Sequence, residues 1–316
     1  MYIEQAFKGF HESWKYVVGF IVVFVIATQI IGAMPLMGAI AYKTLETGNM
    51  IDMSDMSNVY SLFDSNTTLL LILIPFVVGF VALFLWVKFL HKLDFKSLTT
   101  SRKKIDWKRV IFSFLLWGGI TILMIVLDYQ LSPENYQWNF EFNKFIVLVI
   151  IAVLLVPIQT SFEEYLFRGY LMQGIGIAAK NKWVPLLVTS FIFGMMHIAN
   201  PEVAKIGYII MVYYIGTGLF LGILTLMDEG MELALGFHAA NNLITALLVT
   251  ANWTAFQTDS ILKDMSEPTA GVDVLIPVIV VFPILLFIFS KKYQWSDWKE
   301  KLTGNVLPPN NSDLEI

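Results

Sequence analysis

Apolar runs without a charged residue, separated by short polar segments, organise this chain from end to end. Crossing a bilayer takes roughly 17 to 25 mostly apolar residues in a helix, because each residue rises about 1.5 Å and every backbone amide must be paired internally. The charge-free runs lie at 16–42, 65–87, 110–127, 145–162, 183–196, 206–227, 233–258 (interrupted by His238) and 274–290. They predict about eight transmembrane helices. The fourth extends past its charge-free part, because Glu163, Glu164 and Arg168 are followed by apolar sequence to about Met172. The first run is too long for a signal-peptide core and lacks a small-residue cleavage site, so it reads as a retained helix.

Charge sets the direction of the bundle. Short loops rich in Lys and Arg stay cytoplasmic, and the loop after the second run carries Lys88, Lys92, Lys96, Arg102, Lys103, Lys104, Lys108 and Arg109. The loop after the first run carries Glu46, Asp52, Asp55 and Asp64 instead. Alternation then leaves Lys180, Lys182 and the cluster from Lys291 to Lys301 inside. The fold class is therefore an all-α polytopic bundle with both termini cytoplasmic, in a cell membrane. The stretch after Lys291 is polar and reads as a partly disordered tail.

Composition agrees: 57% of the 316 residues are hydrophobic and only 15% charged, a balance suited to lipid as solvent. A net charge of −4 offers no basic face for phosphates, so nucleic acid is not an expected partner. With no cysteine, disulfides, thiolate metal sites and a thiol nucleophile are excluded.

Ionisable groups at membrane depth cost several kcal/mol unless paired or hydrated, so each marks a candidate site. Glu164 and Arg168, four apart, share a helical face and can pair. Glu163 is turned about 100° away from Glu164 and is left to face a bundle interior. Two of the four histidines, His197 and His238, also fall in apolar runs, and Asn242 shares a face with His238. Counted along the helices, Glu163 lies roughly 16 Å, His197 roughly 20 Å and His238 roughly 9 Å from the predicted cytoplasmic ends. The three can meet in the inner half of the bilayer. His11-Glu12-Ser13-Trp14-Lys15 lacks the second histidine of a zinc-protease helix and reads as an interfacial segment.

Three motifs stand in order on separate helices: Glu163-Glu164-x-x-x-Arg168, Phe193-x-x-x-His197 and His238-x-x-x-Asn242. In this the chain resembles the CAAX prenyl protease and bacteriocin-processing (CPBP, Abi) family of intramembrane glutamate proteases. The resemblance covers about residues 144–255, and no motif position departs from the pattern. The charge-free runs before it leave an N-terminal membrane region at 1–143 with three helices, outside the resemblance, which spans a protease core at 144–255 with four. A last helix with a polar cytoplasmic tail follows at 256–316. The resemblance implies Glu163 as general base, His197 as its helper in holding water, His238 and Asn242 as oxyanion donors, and Glu164 with Arg168 in support. No cofactor is implied. A carboxylate in an apolar cavity is a usable base near neutral pH, which agrees with these roles. The expected partners are the bilayer and a peptide or protein substrate, either prenylated or bearing a leader peptide. The alternatives are a noncatalytic immunity or partner-binding protein of the same fold, a zinc-dependent membrane protease using the same Glu and His residues, and a proton-coupled transporter. Lone polar pairs in membrane helices also serve as interhelical hydrogen-bond glue.

Overall fold

The computed structural model describes residues 1–48, 56–268, 271 and 274–308. The longer helices are α1 Ser13–Thr47, α2 Ser65–His91, α3 Trp107–Leu131, α4 Phe142–Ala179, α5 Trp183–Met195, α6 Ile210–Asp228, α7 Glu232–Leu248 and α8 at 277–293. Of these α1, α2, α3, α4 and α6 are long and apolar enough to cross a membrane. The other three are shorter. The run expected at 183–196 forms a helix of 13 residues, which reaches only about 20 Å.

Local chemistry sets where the helices begin and end. Asp64 caps α2 by accepting from the Thr67 amide at 3.0 Å, and Asp106 caps α3 by accepting from the Lys108 amide at 3.1 Å. Glycines let helices approach closely, as lipid-embedded packing requires. A Cβ added at Gly218 of α6 would lie 2.7 Å from the Ser190 carbonyl oxygen of α5, and one at Gly194 would lie 2.3 Å from Ile215. Apolar side chains such as Val17, Leu115, Leu154 and Phe287 stay exposed around the bundle, the surface expected of a chain solvated by lipid.

The two ends of the bundle differ. At the lysine-rich end, the short helix Ile3–Lys8 tucks under α4. The Tyr2 hydroxyl lies 3.1 Å from the Arg168 carbonyl, while Gln173 donates to the Ser97 carbonyl at 2.8 Å. The stretch after Lys291, expected to be loose, folds here as the helix Trp298–Thr303, and Val306 is buried with its amide on the Lys180 carbonyl at 3.0 Å. Burial of Leu302 and Val306 against the core outweighs the polarity of the segment. Residues 309–316 of the expected tail lie outside the described residues.

At the opposite end the all-α expectation is corrected. A small sheet of β1 Tyr136–Trp138, β2 Val249–Ala251 and β3 Leu262–Asp264 forms, with β3 central, antiparallel to β1 and parallel to β2. The run expected to be helical to 258 therefore stops at Leu248. The β-branched pair Val249-Thr250 suits an extended, ladder-paired backbone better than another helical turn.

Candidate active site

The site starts where α4 changes pitch. Regular hydrogen bonding ends at Glu164, and Tyr165–Leu171 takes wider π-type turns, a distortion common at functional sites. Across this junction Arg168 Nη1 donates to Glu164 Oε1 at 2.9 Å, with both side chains wholly buried. Arg168 Nη2 donates to the Gly218 carbonyl at 3.2 Å, and the guanidinium lies 4.2 Å from the centre of the Phe193 ring. The arginine thus neutralises Glu164, the pairing that its spacing allows.

His238, one and a half turns into α7, joins the two carboxylates. Its Nδ1 is 2.7 Å from Glu164 Oε1 and its Nε2 is 3.5 Å from Glu163 Oε2. Glu163, expected to be free, is held on one side only. Gln159, one turn earlier on α4, donates to Glu163 Oε1 at 2.6 Å, whereas Glu163 Oε2 is buried and has no hydrogen bond from the protein. Asn242 donates to Gln159 Oε1 at 3.1 Å and accepts from Asn241 at 3.0 Å. Asn241 in turn accepts from the Trp117 indole at 3.1 Å. One amide chain therefore runs from α3 through α7 to Glu163.

His197, expected inside an apolar helix, stands in the turn just past the end of α5. Its Nδ1 bonds the Phe193 carbonyl at 2.8 Å, and its ring stacks on Tyr214 of α6 at 4.5 Å. A carbonyl accepts only from N–H, so the proton of a neutral ring sits on Nδ1 and Nε2 keeps its lone pair. The close α5–α6 contact at Gly194 and Gly218 carries this pair to the site. Phe237 packs on Trp117 at 4.6 Å.

Glu163, His197, His238 and Asn242 all line one cavity of about 640 Å³. Glu164 and Arg168 lie behind its wall. The spacing of motif residues missed Gln159, Asn241, Trp117 and Tyr214. Gln159 was detectable, since it precedes Glu163 by four residues inside a charge-free run. Helices α5 and α6 line the cavity with their halves nearer the sheet and α7 lines it from Phe237 to Ala246, and residues 249–256 with Tyr60 form its rim. The lysine-rich end contributes no lining residue. Among the described residues, no group of three or more His, Cys, Asp or Glu is arranged to hold a metal ion.

Residues 142–244 match the sequence profile of a family described as type II CAAX prenyl endopeptidase, Rce1-like. An uncharacterised Bacillus subtilis protein, YyaK, is 30% identical over 245 residues, which make up 77% of this chain and 80% of that protein. An uncharacterised Mycoplasma capricolum protein is 29% identical over 137 residues, 42% of this chain and 38% of its own length. No solved structure matches.

Proposed function

The chain belongs to the Rce1-like, type II CAAX prenyl endopeptidase family of membrane proteases. On that premise we propose that it hydrolyses a peptide bond of a membrane-associated substrate, prenylated or leader-bearing, with a water activated by Glu163. The observation that carries the reading is the state of that carboxylate: one oxygen is fixed by Gln159 and the other is unbonded by protein, on the wall of a cavity large enough for a peptide segment.

A water between Glu163 and the lone pair of His197 Nε2 gives its proton to Glu163 as its oxygen attacks the peptide carbonyl carbon. The charge that develops on the carbonyl oxygen meets N–H donors of His238 and Asn242. Glu163 then returns the proton to the leaving nitrogen as the C–N bond breaks, which releases an acid and an amine. Geometry supports the donor role of His238: its ring lies on the cavity wall, 2.7 Å from Glu164 Oε1 through Nδ1 and 3.5 Å from Glu163 Oε2 through Nε2.

The test is cleavage of a peptide library by detergent-solubilised protein, comparing wild type, Glu163→Gln and wild type with a strong chelator. Cleavage lost in the variant and retained with chelator supports this mechanism. Loss with chelator, restored by zinc, replaces it with a metalloprotease. No cleavage by wild type or variant favours the noncatalytic reading.

The same proposal takes α5, α7 and α8 as crossings, for eight in all, with both termini cytoplasmic, an N-terminal region at 1–143, a protease core at 144–255 and a closing segment at 256–316. The cavity rim then faces away from the cytoplasm, although Glu163 and His238 sit nearer the cytoplasmic ends of their neighbours. Because the chain has no cysteine, single replacements report sidedness directly. Asn252→Cys is expected to react with a membrane-impermeant maleimide in intact cells, and Lys104→Cys only after lysis. The reverse pattern overturns the orientation.

A further inference from the structure

Beyond the hydrolytic machinery, the cavity carries an unusual balance of charge. Among the described residues its lining includes three carboxylates, Glu163, Glu202 and Asp264, and no lysine or arginine. Glu163 belongs to the chemistry. Glu202 stands apart from it, on the short helix Pro201–Ile206 that bridges α5 and α6 beside the rim.

One oxygen of Glu202 has a structural use, since Oε1 accepts from the Ala255 amide at 2.8 Å and so holds the loop after β2. The other, Oε2, is buried and unbonded by protein. Burial pushes the Glu202 carboxyl above its ordinary value, offset only in part by the Ala255 amide and its own backbone. Holding the loop needs one acceptor, which a neutral glutamine would supply as well. A second oxygen, buried and ionisable on a cavity wall, is a cost that a cationic guest would remove. Tyr60, bonded to the Ala255 carbonyl, and Tyr214 and Trp253, packed with Val203, line the cavity near Glu202, and aromatic faces favour the stems and heads of cationic side chains.

We propose that Glu202 is the receptor for a lysine or arginine side chain of the peptide substrate, making this a protease for basic segments presented at the cavity rim. The proposal rests on the peptidase reading. A substrate that brought a carboxylate here would face the unbonded Glu202 Oε2 with no lysine or arginine in the described lining to receive it.

The experiment uses three fluorescein-labelled peptides of one length and different centres: Lys-Arg, Ala-Ala and Glu-Glu. Binding is measured by anisotropy on full-length Glu163→Gln protein in detergent, and cleavage on the wild type. The Lys-Arg peptide is expected to bind at least about tenfold more tightly than Ala-Ala, the scale of one desolvated charge pair. Adding Glu202→Gln, which keeps the acceptor for Ala255, is expected to erase that preference while leaving Ala-Ala binding and the thermal midpoint in place. Adding Glu202→Lys is expected to shift the preference to Glu-Glu. Equal binding of the first two peptides, or a preference that survives Glu202→Gln, overturns the assignment. Failure of the wild type to cleave any of them counts against the peptidase reading alone, because the binding comparison decides Glu202 by itself.

Discussion

Two pairs of carboxylates deep in this bundle meet charged partners in different ways. At the lysine-rich end, Asp228 and Glu232 are almost wholly enclosed, and all four of their oxygens are bonded. Asp228 receives Arg102 at 3.0 Å, the Trp295 indole at 3.0 Å and Arg109, and Glu232 receives Arg102 at 3.0 Å and the Asp106 amide at 3.2 Å. Beside the cavity, Arg168 pairs with Glu164, His238 reaches both Glu163 and Glu164, and each carboxylate keeps an oxygen without a hydrogen bond from the protein. The first group is saturated and can only hold the fold. The second retains acceptor capacity at cavity depth, as a base that must take a proton from water requires.

The comparison predicts that the two groups fail in different ways. Replacing Glu163 by glutamine keeps size and shape, so its effect falls on turnover. It is expected to lower kcat by about 10²- to 10⁴-fold, the range for a positioned general base, with the thermal midpoint in detergent nearly unchanged. A large drop in the midpoint with activity retained per folded molecule would make Glu163 a structural residue like Asp228.

Asp228→Ala is the opposite case. It leaves Arg102 and Arg109 short of a counter-charge and is expected to cost about 2–4 kcal/mol of stability, toward the lower end for a broken buried pair because both guanidiniums are partly exposed. The fraction that remains folded keeps wild-type turnover. The measurements are thermal unfolding followed by size-exclusion chromatography, together with kcat normalised to folded protein. Turnover that fell as steeply as stability would tie the lysine-rich end to the chemistry and dissolve the contrast.

The same contrast explains what could be read from the sequence. Glu163, Glu164, Arg168, His197 and His238 stood out because a charge or an imidazole in an apolar run has few innocent explanations. Asn242 stood out by its spacing from His238. Gln159 and Asn241 were passed over because amides inside membrane helices so often serve only as glue, and Trp117 and Tyr214 because aromatics there are ordinary packing. Glu202 sits outside every apolar run, so only the folding of Pro201–Ile206 against the loop after β2 brings it to the cavity wall. In the fold, the charge-free runs located the helices but not their lengths. Three-residue strands are too short for alternation to register. The docking of 298–306 depends on a surface built by α6, α5 and the turn at 180–182, of which the segment's own polarity carries no trace.

The smallest effect tests how the cavity holds its base. Asn242, Gln159 and Glu163 form one relay of hydrogen bonds, so the outer amide acts on the carboxylate only through the inner one. Gln159→Ala removes the donor to Glu163 and is expected to lower kcat about tenfold, since one such bond is worth on the order of 1–1.5 kcal/mol. Asn242→Ala loses that orientation and its own remaining N–H toward the oxyanion, so its loss is comparable or somewhat larger. If the relay operates, the double variant falls short of the product of the two by about the cost of one hydrogen bond, because the second substitution removes a bond already broken. Full multiplicativity in kcat would mean that the two amides act independently, with Asn242 serving the oxyanion alone. Glu163 would then be positioned by Gln159 and His238 without help from α3.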